Sequence, residues 1–298
     1  MSLRKPNIIC LGAQKAGTTT LHDILKKHTD IYLPSIKEAP FFHKDENYNK
    51  GEDWWLNEFF PKQKDEKIIG AFTPDYLFFP KVADRIKSMY QDTELKLIII
   101  LRQPCERAFS HYLMTTKFGT EDLSFEDAIA QEDERLKEDD FHIQSHLSYI
   151  SRGKYLEQIK RFTEFVPKEN ILFLSFEKDI RTNLDKTIIR IQQFMGVEIQ
   201  ELNTNIKSNS AGRVRSKKLE TYLGKDLFIK KILRKMFSKD RLFKMRRSLG
   251  RLNEAKSSSL PKLEPKLNKA LFEEYYESEL DELMTLTGLD LNFWKDIN

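Results

Sequence analysis

Short apolar runs mark four places in the chain: Ile8–Leu11 (IICL), Lys67–Phe72 (KIIGAF), Leu95–Leu101 (LKLIIIL) and Asn170–Phe176 (NILFLSF). Each run predicts a strand, and the continuous Leu and Ile of LKLIIIL predict a central one covered on both faces, as a parallel sheet requires. Between the runs the apolar spacing changes to that of helices. Leu21, Ile24 and Leu25 fall on one face after Thr18, Thr19 and Thr20. Residues 151–166 predict a helix after Gly153 with Leu156, Ile159, Phe162 and Phe165 inward. Asn183 to Met195 predicts another, closed by Gly196. Residues 120–140 read as an exposed acidic helix whose apolar side is Phe125, Ala128, Ile129 and Leu136, and Leu263–Leu286 as a final acidic helix. Pro34 and Pro40 confine residues 32–43 (YLPSIKEAPFFH) to loop with at most a short strand.

This alternation of strands and helices predicts an α/β fold, a three-layer sandwich around a central parallel sheet, forming a single domain over residues 1–298. Its C-terminal part, from about 205, is expected to be basic and mostly helical. In such a sheet the loop after the first strand, Thr73, Arg102 and Glu177 all lie at carboxyl ends of strands, the edge where open α/β sheets bind ligands.

Composition narrows the class. Hydrophobic residues at 40% and 21 phenylalanines support a large core, while 32% charged residues indicate solubility. Trp54, Trp55, Phe59 and Phe60 read as core in a helical segment rather than as a sugar-stacking platform. No apolar run reaches the length of a membrane span, and no signal peptide is evident at the N-terminus, so nothing is expected to precede the domain. Two cysteines, Cys10 and Cys105, exclude a disulfide framework and point to a reducing compartment, hence a cytoplasmic location. The net charge of +4 suits an anionic ligand without naming one. No zinc-ligand spacing and no internal repeat are present.

The chemistry begins in PNIICLGAQKAGTTTLHDIL, residues 6–25. A strand, a loop containing Gly12 and Gly17, and a helix opened by three threonines make an anion cradle. Backbone amides and the helix dipole face the ligand, and hydroxyls complete the cage. The glycines have the spacing of the nucleotide-triphosphate loop G-x-x-x-x-G-K-[ST], but Thr18 stands where its lysine belongs and Lys15 lies inside the loop. A cation there sits beside the bridging oxygen of a short 5′ group. The plainer reading is a glycine turn in an α/β domain.

GAQKAGTTTL is similar to the 5′-phosphosulfate loop of sulfotransferases that use 3′-phosphoadenosine 5′-phosphosulfate (PAPS) and release adenosine 3′,5′-bisphosphate (PAP). The resemblance implies that Lys15, Ala16, Gly17, Thr18, Thr19 and Thr20 bind this donor. RQPCERAFSHYL, from Arg102, is similar to the family's 3′-phosphate motif, which implies that Arg102 and Ser110 bind that phosphate. A guanidinium fork matches phosphate oxygens, although an arginine at a strand end is as often structural. Arg107 reads as a fold or surface contact and His111 as a packing residue. A later stretch, Asn209 to Arg213, resembles a family loop over the adenine and 3′-phosphate, with Arg213 as the binder and Arg215 as its alternative.

KEAPFF, residues 37–42, reads by itself as a solvated charged loop. It is also similar to the Lys-Glu-x-x-Phe-Phe segment of glycosaminoglycan-type sulfotransferases, in which the glutamate is the catalytic base. By that resemblance Glu38 is the base and the acceptor is a carbohydrate. The local residues also allow it, as a carboxylate beside a lysine and next to aromatics, held near the site with water excluded; His43 is the next candidate. Thr73-Pro74-Asp75-Tyr76 resembles a family turn that lines the acceptor pocket.

The expected activity is therefore transfer of a sulfo group from PAPS to a hydroxyl or amine, with Glu38 and Lys15 catalytic, no metal and no nucleic-acid partner. A lipid-like or polyketide hydroxyl as acceptor, and a non-catalytic nucleotide- or polyanion-binding module, are the alternatives. A kinase is disfavoured, since the P-loop lysine is missing and LKLIIIL ends in Arg102 rather than an aspartate. Residues 225–251 are strongly basic, with apolar residues at near-helical spacing. Three readings stand: a packed helix with a solvated basic face, a channel wall for an anionic acceptor, or a peripheral seat on anionic lipid.

Overall fold

A computed structural model describes residues 3–91, 93–205 and 261–296. Five strands, β1 (Ile8–Gly12), β2 (Ile31–Tyr32), β3 (Ile68–Phe72), β4 (Lys96–Leu101) and β5 (Ile171–Ser175), form one sheet in the order β2-β3-β1-β4-β5. Every pairing is parallel. All residues of β1 and β3 are buried, as are all of β4 except Lys96, so both faces of the sheet centre are covered by the helices that alternate with the strands. Cys10 pairs with Phe72 on one side and Ile98 on the other, and Leu101 pairs with Ser175. The carboxyl ends of these strands therefore form one edge. β2 and β3 lie on one side of β1, β4 and β5 on the other, so the loop after β1 opens where the winding reverses.

The chain divides into two compact units, Met1–Arg107 with Ser151–Ser208 and Pro265–Asn298, and Ala108–Ile150 with Asn209–Glu264. The first contains the sheet. Trp55 and Phe60 are wholly buried in its core, as expected, whereas Trp54 and Phe59 are only half-buried. So are the two free cysteines, and burial pushes the Cys10 thiol up to about 12. The expected long C-terminal helix is instead two, Pro265–Tyr275 and Leu280–Thr287, joined by a 3-10 turn at Glu277–Glu279. At the break Tyr276 turns inward, its hydroxyl 2.7 Å from where a side chain on Gly153 would begin.

In the second unit the acidic stretch forms two short helices, Phe125–Ala130 and Glu132–Leu136, because two of its glutamates are buried rather than solvated. Glu132 accepts from the amides of Tyr149 and Ile150 at 2.7 Å each. Glu121 accepts from both Arg135 terminal nitrogens, at 2.7 and 3.2 Å, and from the Tyr149 hydroxyl at 3.0 Å. Burial opposes ionisation of Glu121, but Arg135 and these donors outweigh it and hold its carboxyl below the usual range. The stability this gives is present above the unfolded glutamate pKa and is lost as pH falls through the lower folded value. Glu121→Gln is expected to cost about 2–3 kcal/mol at neutral pH and to flatten the acid limb of a urea-midpoint profile. An unchanged midpoint at pH 7 would refute this.

No helix among the described residues is long and apolar enough to cross a membrane. Arg213, Arg215 and the basic stretch 225–251 lie outside the described residues.

Candidate functional site

β1 runs directly into the loop, and two glycines shape it. At Gly12 φ is +147°, and a Cβ would sit 2.8 Å from the Pro74 carbonyl oxygen. At Gly17 φ is +88°, and a Cβ would meet Ile180 at 2.9 Å. A side chain at either place forces the backbone apart. The first helix, α1 (Thr18–Leu25), starts immediately afterwards without a side-chain cap. Among the described residues nothing accepts from the amides of Gly17, Thr18 and Thr19. These open donors, at the positive end of the helix dipole, fit an anion. Ala16 and Thr18 are buried, while Lys15, Gly17, Thr19 and Thr20 are half-buried.

Arg102, just beyond β4, reaches this loop. Its guanidinium donates to the Lys15 carbonyl at 3.1 Å while the Lys15 backbone holds φ at +70°. It also lies 4.8 Å over the Phe176 ring and 3.4 Å from Glu106. Burial pulls its pKa down, with Glu106 and Glu177 pulling it back, and the group stays charged. The structure thus joins Lys15 and Arg102, which lie far apart in sequence. Ser110 is half-buried on the helix Pro104–Lys117, in the portion assigned to the second unit. Arg107 and His111 are wholly buried, in keeping with structural roles.

Glu38 lies in irregular chain, its side chain 54% exposed and 3.5 Å from the Lys37 ammonium. The expectation that aromatics exclude water around it is not met. Phe41 and Phe42 point into the core, where Phe41 stacks on Trp55 at 4.9 Å and Phe42 packs edge-on to Tyr76 at 5.3 Å. His43 is also buried; burial lowers its pKa to about 4, with Asp75 opposing from 3.8 Å.

The turn 73–76 does not line a pocket through its hydroxyls, since Thr73 and Tyr76 are 1% and 0% exposed. Asp75 instead pairs with the buried Arg152 at 2.7 Å, and Arg152 lies 4.3 Å over Phe78. Three residues later the Tyr155 hydroxyl donates to the Arg102 carbonyl at 2.9 Å. Sequence reasoning missed Arg152, Tyr155 and Phe176 as site-building residues. Their signal was the cluster of charged and aromatic residues in SRGKY and at the end of NILFLSF, which helix and strand periodicity alone does not separate from core.

Two phosphate-sized features, open helix amides and a loop-bound guanidinium, thus share the edge at the winding reversal. A profile of the sulfotransferase domain matches residues 5–253. The chain belongs to the sulfotransferase domain family. Among its relatives, human heparan sulfate glucosamine 3-O-sulfotransferase 3B1 is 29% identical over 202 residues, 66% of this chain and 47% of that protein. The membrane-associated sulfotransferase kil1 of Dictyostelium discoideum is 32% identical over 164 residues, 52% of this chain and 33% of that protein. The chain spans about half the length, or less, of these curated relatives. A solved sulfotransferase from Alicyclobacillus acidocaldarius superposes with a TM-score of 0.67 at 25% identity, covering 98% of this chain and all of the other. The β-loop-α cradle of this family member is the part that sequence and structure describe alike.

Proposed function

We propose that this chain is a PAPS-dependent sulfotransferase whose acceptor is a carbohydrate hydroxyl or amine. The observation that carries the reading is the bond from Arg102 to the Lys15 carbonyl, which sets a charged guanidinium beside the open amides of Gly17, Thr18 and Thr19. That donor set fits a ligand with two separate phosphate-type groups. The relatives named as heparan sulfate sulfotransferases support a glycan acceptor.

In this reading Glu38 takes the proton from the acceptor as the acceptor atom attacks sulfur. Lys15 and the loop amides meet the charge left on the phosphate oxygen as the old sulfur–oxygen bond breaks. PAPS supplies an already activated sulfo group, so the chain's own task is positioning and charge stabilisation.

PAP, without magnesium, should raise the melting temperature; at a hundredfold its dissociation constant it adds about 2.7 kcal/mol. AMP should do so far less, and Arg102→Ala should abolish the difference by removing a charge-assisted contact worth about 1.5–3 kcal/mol. Equal stabilisation of the wild-type chain by AMP would sink the donor assignment. Incubation of the chain with PAPS and a heparan sulfate oligosaccharide should add one sulfo group to the sugar, read by mass spectrometry. PAP binding without that transfer would remove the carbohydrate acceptor and leave a lipid-like hydroxyl or a non-catalytic binder.

A further inference from the structure

Glu38 sits on irregular chain and is more than half exposed, yet a general base must be placed to within a few tenths of an ångström. The residue after it supplies the anchor. The Ala39 amide donates to Thr73 Oγ1 at 3.3 Å, and the Ala39 carbonyl accepts from the Tyr76 hydroxyl at 2.7 Å. Both polar groups of one residue, Ala39, are therefore held by side-chain hydroxyls of a single turn, and all three residues are at most 1% exposed.

The gripping turn is itself stitched to β1, which runs directly into the phosphate-binding loop. The Thr73 amide donates to the Cys10 carbonyl at 3.1 Å and the Leu77 amide to the Leu11 carbonyl at 2.9 Å. Pro74 closes on Gly12 so tightly that only glycine fits there. A continuous path of short contacts thus runs from the loop through residues 73–77 to the peptide adjoining Glu38. Asp75 braces it from behind through Arg152.

We infer that Thr73 and Tyr76 are positioning residues, which fix the Glu38 carboxylate relative to the phosphate-binding loop by clamping the Ala39 peptide. The inference rests on Glu38 being the base of the proposed reaction. Their hydroxyls touch neither substrate nor donor; they act through Glu38.

The experiment compares the full chain with Thr73→Val, Thr73→Ser and Tyr76→Phe, each made also in a Glu38→Gln background. Turnover is measured with PAPS and the heparan sulfate oligosaccharide. Thr73→Val and Tyr76→Phe should each lower kcat about tenfold while the KM for PAPS and the affinity for PAP stay within about twofold. Thr73→Ser, which keeps the hydroxyl, should restore kcat. Amide hydrogen exchange over residues 36–43 should rise in the valine and phenylalanine variants and not in the serine variant. In the Glu38→Gln background the same changes should alter kcat less than about twofold, since the group they position is gone.

Full kcat in Thr73→Val and Tyr76→Phe would overturn the inference, and so would an equal loss with and without Glu38, which marks a merely structural role. If Tyr76→Phe fails to fold, the valine–serine pair at Thr73 decides. Failure of the underlying reaction looks different: Glu38→Gln then keeps full turnover, or the wild-type chain transfers nothing, and the clamp falls with it.

Discussion

Glu38→Gln lowers turnover by about 10²–10⁴ at saturating PAPS and acceptor, the usual contribution of a general base. Glutamine keeps the shape and one hydrogen-bonding oxygen but does not take up the proton. Affinity for PAP is expected to change by no more than about threefold, because the proposed reaction places Glu38 on the acceptor side of the reacting sulfur. Folding is little disturbed, since the side chain is 54% exposed and its one ion pair, with Lys37 at 3.5 Å, is of the weak surface kind. Single-turnover measurement with the oligosaccharide acceptor separates a slow chemical step from slow product release. Turnover within threefold of wild type would remove Glu38 as the base. His43 would not follow easily as its replacement, because it is 2% exposed behind Tyr76 and Phe79.

Lys15→Ala lowers both quantities that Glu38→Gln separates. Removing the ammonium leaves the developing charge on the phosphate oxygen to the loop amides alone. Loss of one such preorganised donor costs about 10²–10³ in kcat. In the proposed reaction the same charge also holds the donor in the ground state, so PAP is expected to bind about tenfold more weakly as well. Backbone strain does not confuse the comparison. Lys15 stands at φ +70°, and alanine and lysine resist that conformation to a similar degree. Titration with PAP together with kcat at saturation tests the prediction. Weaker PAP binding with unchanged kcat would give Lys15 a purely binding role and return the stabilisation of the leaving group to the helix terminus.

Local order fixed much of what could be read in the amino-acid chain. IICL, KIIGAF, LKLIIIL and NILFLSF announced the four main strands because uninterrupted aliphatic runs are stable only where both faces are covered. Their ends moved by a residue or so, as at β5, where Phe176 leaves the strand to pack on Arg102 and Gly17. Gly12, Gly17 and the three threonines announced the cradle, since a strand, a glycine loop and a helix terminus follow one another without a break. Arg102 was legible as a strand-end cation, but not its bond to the Lys15 carbonyl, which spans 87 positions of sequence.

Only the tertiary structure decided the surroundings of Glu38. KEAPFF carries both a charged pair and two aromatics, and nothing local says which faces the core. Packing sent Phe41 and Phe42 inward against Trp55 and Tyr76, and that left the carboxylate in water. The turn Thr73–Tyr76 was assigned to a pocket wall by resemblance, and the fold turned the hydroxyls of Thr73 and Tyr76 onto the Ala39 peptide. The acidic stretch near 121–136 likewise read as solvated until Arg135 and the Tyr149 and Ile150 amides gave Glu121 and Glu132 buried partners. The physical reason is common to all three. Periodicity records the free energy of burying apolar surface along one element, whereas a polar side chain goes where its partner is, and these partners come from 14 to 37 residues away.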